Sequence, residues 1–201
     1  MASTISAGTS AGTAIAITGD TSGILQLQSN GTTQQTIDST GSYGQVKSGT
    51  AVNSTSGTSI DFTSIPSWVK RITVMFNGVS TSGTSNILIQ FGAGSITSSG
   101  YVSTCVTTNS SSGTAGVTST AGCVLYNDTA SYLHYGLMTI ALVNSASYIW
   151  VANYCGRLSS TNIVSSGSGV TLGGTLDRVR MTTVNGTDTF DAGSINILYE
   201  G

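Results

Sequence analysis

Charge is what this chain has least of. Only 7% of its 201 residues are Asp, Glu, Lys or Arg, six basic against eight acidic, for a net charge of −2. Helical bundles and coiled coils draw heavily on Glu, Lys and Arg together with Ala and Leu, so this composition excludes them. It also withholds the basic footprint that nucleic acid or an anionic membrane requires. Too little charge is present to hold the chain open by self-repulsion. Proline and histidine occur once each in the sequence, and cysteine three times. Cys105, Cys123 and Cys155 make an odd set with no Cys-x-x-Cys spacing, which fits neither a disulfide framework nor a zinc site. Each lies in or beside an apolar run and reads as a buried free thiol. No apolar run approaches the roughly 18 to 20 residues of a membrane span, and the longest, Leu137 to Val143, is strand-sized. The start of the chain has no basic and apolar regions of the signal-peptide kind, and its first basic residue is Lys47. The expectation is a protein made in a cytosol, with no membrane insertion and no nucleic-acid partner.

What is present is Ser and Thr, roughly a third of the chain, and 26 glycines. With apolar residues that are mostly Ile, Val and Leu, this is the composition of an all-β protein with many turns. The aromatic residues then divide it: only Tyr43 precedes position 60. Residues 1–55 cannot bury enough apolar surface to offset an ordering entropy of about 1 to 2 kcal/mol per residue. Short alternating runs nevertheless recur there, and Ile17, Leu27 and Ile37 fall ten residues apart. With Ile15 and Leu25 they make one apolar face that needs a partner surface, and the simplest partner is another copy of the chain. Residues 1–55 therefore read as an extended, strand-containing oligomerisation and attachment segment rather than a plain linker.

Residues 56–201 read as a folded domain. Ile72, Val74 and Phe76 alternate with Arg71, Thr73 and Met75, and Asn77-Gly78 marks a turn after them. Tyr135 to Val143 and Tyr148 to Cys155 form a hairpin around Asn144-Ser145-Ala146-Ser147. Thr108 to Thr120 reads as a low-complexity loop and Ser165 to Gly174 as a Gly-rich stretch, before strands at Leu176 to Thr183 and Ser194 to Glu200. About eight to ten strands with no helical period predict an antiparallel β-sandwich, jelly-roll-like, behind the N-terminal segment.

Groups for catalysis are few. His134 is the one histidine and reads as a packed residue at a strand entry rather than a general base. Gly8-Thr9-Ser10-Ala11-Gly12 matches a nucleophile elbow in letters, without the buried strand and helix that the elbow needs. Asn185, Asp188 and Asp191 lack the spacing of a calcium loop and read as a turn. No enzyme activity and no cofactor are expected. Lys70, Arg71, Arg178 and Arg180 hold four of the six basic residues; they pair with Asp61, Asp177 or Asp191, or else they capture an anionic glycan. Tyr132 and Tyr135 belong to an aromatic cluster that is either core or a platform for sugar rings.

The opening run Ser3-Thr4-Ile5-Ser6-Ala7-Gly8-Thr9-Ser10-Ala11-Gly12-Thr13-Ala14-Ile15 and the stretch Gly19 to Gly23 resemble the N-terminal segments of bacteriophage tail-fibre and related virion proteins. Ile65 to Ser80, with its Trp68-Val69-Lys70-Arg71-Ile72 core, and Leu176 to Phe190 resemble a β-sandwich domain of tailed-phage structural proteins. The resemblance implies a non-enzymatic virion component made in the host cytoplasm. It implies a homotrimer, joined to other virion proteins through the N-terminal segment and carried on the tail as a fibre or tip. A capsid decoration or head-fibre protein is the alternative, and a module that binds host surface glycan is a third.

Overall fold

The computed structural model describes residues 25–29, 32–38, 41–42, 45–109, 113–158 and 161–201. The chain divides into two compact units, residues 1–45 and 46–201. In the first, β1 (Leu25–Ser29), β2 (Thr32–Asp38) and β3 (Gly41–Ser42) form an antiparallel sheet in that order. Leu25 stands opposite Ile37 and Leu27 opposite Gln35. Ile15 and Ile17 lie outside the described residues.

The second unit begins with β4 (Val46–Ser48), β5 (Val52–Asn53), β6 (Ser59–Phe62), β7 (Arg71–Thr81), β8 (Ile87–Ala93) and β9 (Ser95–Ile96). It continues with β10 (Val102–Asn109), β11 (Thr114–Ser119), β12 (Cys123–Leu125), β13 (His134–Asn144) and β14 (Ile149–Arg157), and ends with β15 (Asn162–Thr171), β16 (Arg178–Thr183) and β17 (Phe190–Glu200). One antiparallel sheet runs β11-β10-β15-β14-β13-β7-β17-β4, with β5 also on β17. The other runs β12-β8-β16-β6, with β9 beside β8. Taking β4/β5, β6, β7, β8, β12, β13, β16 and β17 as strands one to eight, the sheets read 1-8-3-6 and 2-7-4-5. Those interlocked orders are the two Greek keys of a jelly roll. The remaining pairs, β10/β11 and β14/β15, both extend the larger sheet beyond β13. No helix of the described residues is long and apolar enough to cross a membrane.

Strict alternation builds the core between the sheets. Ile72, Val74 and Phe76 of β7, Met138 and Ile140 of β13, Trp150 and Tyr154 of β14, and Ile195 and Ile197 of β17 all turn inward. Facing them, Val179 and Met181 of β16 lie beside β8, where Ile87, Ile89 and Phe91 have no exposed surface. The Phe76 and Tyr154 rings meet edge to face at 5.4 Å.

Three stretches depart from the sequence reading. Asn77-Gly78 is no turn: β7 runs through it, and Gly78 (φ 67°) is an extra residue skipped in the pairing with β13. A glycine bulge bends a strand without ending it. Thr114–Ser119, inside the expected loop, is edge strand β11, in register with β10 over six residue pairs. The Gly-rich stretch is crossed by β15, which pairs on both sides along its length. In both, ladder hydrogen bonds from well-formed neighbours hold strands whose own side chains carry little β signal.

The unit boundary also falls at residue 45/46 rather than 55/56. Val46–Ser48 and Val52–Asn53 pair with β17, and buried Ser54 donates its hydroxyl to Ala192 O at 2.7 Å. A chain starting at Val46 is therefore expected to stay monodisperse in size-exclusion chromatography. One starting at Ser56 bares the hydrogen-bonding edge of β17 and is expected to aggregate; equal behaviour of the two would show that β4 and β5 do not guard that edge.

Candidate functional site

Two features of the sandwich stand apart from its core. The first is a cleft at one end of the extended sheet. Its floor is the last inward-facing rows of β11, β10 and β15, where Ala115 pairs with Thr107 and Asn109 with Asn162. Its wall is the loop between β12 and β13, turned by the Tyr132 N–H donating to Thr129 O at 3.1 Å. Thr107, Asn109, Gly113, Thr114, Ala115, Asn162, Tyr126, Asp128 and Tyr132 enclose about 240 Å3. Thr107 is anchored by its hydroxyl donating to Ile163 O at 3.1 Å, and the Asn109 amide by accepting the Gly113 N–H at 2.8 Å.

Asp128 is held on both oxygens: Tyr126 donates its phenol to Oδ2 at 2.8 Å and Thr129 its hydroxyl to Oδ1 at 3.2 Å. The carboxylate pushes the Tyr126 phenol up to about 12, so it stays a donor. Among the described residues, the lining holds one negative charge and no positive one.

The second feature is the outer face of the larger sheet. Register carries one row across six strands: Val106, Ser165, Cys155, Leu137, Met75 and Asn196. Beyond an intervening polar row of Thr104, Gly167, Asn153, Thr139 and Thr73, a third row sets Val102, Gly169, Val151 and Ala141 side by side before reaching Arg71 and Glu200. Val102 is 79% exposed, Ile163 55% and Leu137 53%. The middle of this face is uncharged, a polar row flanked by rows that carry the aliphatic side chains, with Arg157, Arg71 and Glu200 towards its margins. Cys155 lies here, exposed, which corrects the expectation of three buried thiols. Tyr154 takes the inward position on β14, so its neighbour must point out. Burial pushes Cys105 up to about 11 and Cys123 up to about 12, so both remain protonated thiols.

The structure separates the residues singled out in the sequence. Tyr132 lines the cleft, while Tyr135 is exposed on the outer face beside Arg157. Arg71 lies on the larger sheet and bonds Glu200 at 3.4 Å. Arg178 and Arg180 lie on the outer face of the smaller sheet, paired through Nε at 2.7 Å with Asp177 and Asp61. Lys70 borders a cavity of only about 50 Å3 beside Trp150 and Tyr148. The four basic residues thus form no common site, because β7 and β16 belong to opposite sheets. Arg178 holds the Asp177 carboxyl below its usual range. Leu27 is 41% exposed on β1.

His134 opens β13 as expected, fully buried, its ring centroid 6.3 Å from that of Tyr154. Asn185 forms a turn, its Oδ1 accepting the Thr187 and Asp188 N–H groups. Among the described residues, no three metal-ligating side chains gather. The cleft residues Thr107, Asn109, Thr114 and Asn162 escape a sequence reading because they sit among dozens of similar polar residues. Only the pairing of β10 with β11 and with β15 brings them together.

Comparison with protein-family models, with curated proteins and with solved structures finds no match to this chain.

Proposed function

We propose that this chain is a non-enzymatic bacteriophage virion protein, a homotrimeric tail-fibre or tip component that attaches the particle to its host. The observation that carries the reading is the outer face of the larger sheet. It carries the exposed aliphatic side chains Val102 and Val106 of β10, Val151 of β14 and Leu137 of β13, with only uncharged Ser, Thr, Gly, Ala, Asn and Cys between them. Such a face loses little by burial, since no ion must be desolvated, and it gains about 25 cal/mol per Å2 of apolar area covered. A second copy of the chain is its natural cover, in a protein with so few charges to oppose contact. The Ser/Thr/Gly-rich segment before the sandwich, similar to virion attachment segments, supports a place on a particle. The tyrosine-lined cleft favours host attachment over shell decoration.

Cys155 reports on this contact. In the full-length chain its thiol is expected to resist a disulfide reagent under native conditions, as a residue covered by a neighbouring subunit does. A Leu137→Lys variant, with a charge next to Cys155 in the same row, is expected to release monomers in which one thiol per chain reacts. Rapid native reaction of Cys155 in the unmodified protein would refute the contact.

A further inference from the structure

We propose that the cleft between the β12–β13 loop and the ends of β10, β11 and β15 binds one ring of an uncharged saccharide. The inference deepens the attachment reading and rests on it for its biological setting; its chemistry rests on the lining. A sugar ring offers an apolar C–H face and a rim of hydroxyls that both donate and accept. Tyr126 and Tyr132 supply phenol rings for the face. Asp128 supplies the acceptor for the rim. Each of its oxygens already takes one hydroxyl donor, from Tyr126 and from Thr129, which fixes the carboxylate and leaves each oxygen a further lone pair. Two adjacent sugar hydroxyls can donate to that pair of oxygens through charge-assisted bonds. Across the cleft, the floor is hydroxyl and amide.

Charge sets the class of sugar. The lining carries the Asp128 carboxylate and, among the described residues, no Lys, Arg or His. A phosphate, a sulfate or the carboxylate of an acidic sugar would enter a site of its own sign with nothing to pair it. Size sets the extent: about 240 Å3 lies below the roughly 300 to 1,000 Å3 of drug-sized pockets, which suits a single ring.

The test uses the full-length chain and four neutral probes, the methyl glycosides of glucose, galactose, mannose and N-acetylglucosamine. Two acidic probes, the methyl glycoside of sialic acid and glucose 6-phosphate, run alongside. Each is titrated by calorimetry or NMR to about 10 mM, enough to detect a millimolar Kd. The expected result is that a neutral glycoside binds and both acidic probes do not. Asp128→Ala, at an exposed position, is expected to weaken that binding at least about tenfold with an unchanged melting temperature. Ala115→Trp, which fills the floor from the inward-facing row of edge strand β11, abolishes it, and Tyr135→Ala on the outer face leaves it intact. Binding of no neutral probe, equal binding of the acidic probes, or binding that survives both cleft variants overturns the proposal. Immunogold microscopy of virions reads the attachment proposal separately. A sugar-binding chain missing from particles overturns that reading alone, and a particle-borne chain with an inert cleft overturns this one alone.

Discussion

Replacing Gly193 by valine is expected to lower the melting temperature by roughly 6 to 12 °C, the equivalent of about 3 kcal/mol in a domain of this size. Gly193 sits at φ 87° in β17, at the bulge where Ala192 pairs with Ser80 and Ser194 with Asn77. Its backbone conformation alone costs a β-branched residue about 1 to 3 kcal/mol. Space is the second charge against it. A Cβ there would overlap the Gly78 carbonyl and come within 2.5 Å of Asn77 O. Those are backbone atoms of the neighbouring strand, so no rotamer change relieves the overlap and the β7–β17 ladder must part. Gly193 O also accepts the Ser54 N–H at 3.0 Å, so the damage extends to the segment that closes the sheet edge. Gly173→Val, in the exposed stretch after β15 where a Cβ meets no atom within 4 Å, is the control and is expected to change stability by less than about 0.5 kcal/mol. Thermal melts of the two variants settle the point; similar melting temperatures would mean the bulge is not the constraint described.

Acid is expected to weaken the fold well above the range in which carboxylates titrate. His134 is fully buried, neither ring nitrogen has a hydrogen-bond partner among the described residues, and burial alone holds its pKa down to about 4. In the unfolded chain an imidazole titrates near 6.5. Between those values the unfolded state binds a proton that the folded state does not, so stability falls as pH falls. The stability is intact above about pH 6.5 and declines by up to about 1.4 kcal/mol per unit below it, approaching about 3 kcal/mol in all near pH 4. Asp177, whose pKa is depressed chiefly by Arg178, adds a loss of the same sign only below about pH 3.9. The two windows separate. Urea midpoints at pH 7, 6, 5 and 4.5 should fall steadily in the natural chain and stay level in His134→Phe, which removes the titrating ring and both unpaired nitrogens. A midpoint that does not move between pH 7 and 4.5 would exclude His134 as the acid-sensitive group.

Strands with strong alternation are legible in the sequence. The inward set of Ile72, Val74 and Phe76 and the final strand with Ile195 and Ile197 inside follow from a period of two among apolar residues, and the hairpin of β13 and β14 from two apolar runs around a four-residue loop. The all-β sandwich followed from composition. Where strands draw their order from neighbours, the side chains said little. Thr114–Ser119 and Asn162–Thr171 are spelled mostly in Ser, Thr, Gly and Val, and their backbone partners make them strands. Asn77-Gly78 illustrates a different limit: the same dipeptide serves a turn or a bulge, and only the pairing on either side decides. For the cleft, Tyr132 was visible as an aromatic of interest, but Asp128 gains meaning only from the Tyr126 phenol 2.8 Å away. The basic residues show the converse. Lys70-Arg71 and Arg178/Arg180 hold four of the six basic residues, and the sheet order sends them to opposite sides of the sandwich.

Self-assembly is the claim on which the functional account stands, and the mass of the full-length chain in solution tests it most directly. Sedimentation equilibrium at micromolar concentration is expected to give three times the 20.3 kDa of one chain. A species at 20.3 kDa that persists as concentration rises would contradict a subunit contact on the outer face, and with it the reading of this protein as a homotrimer.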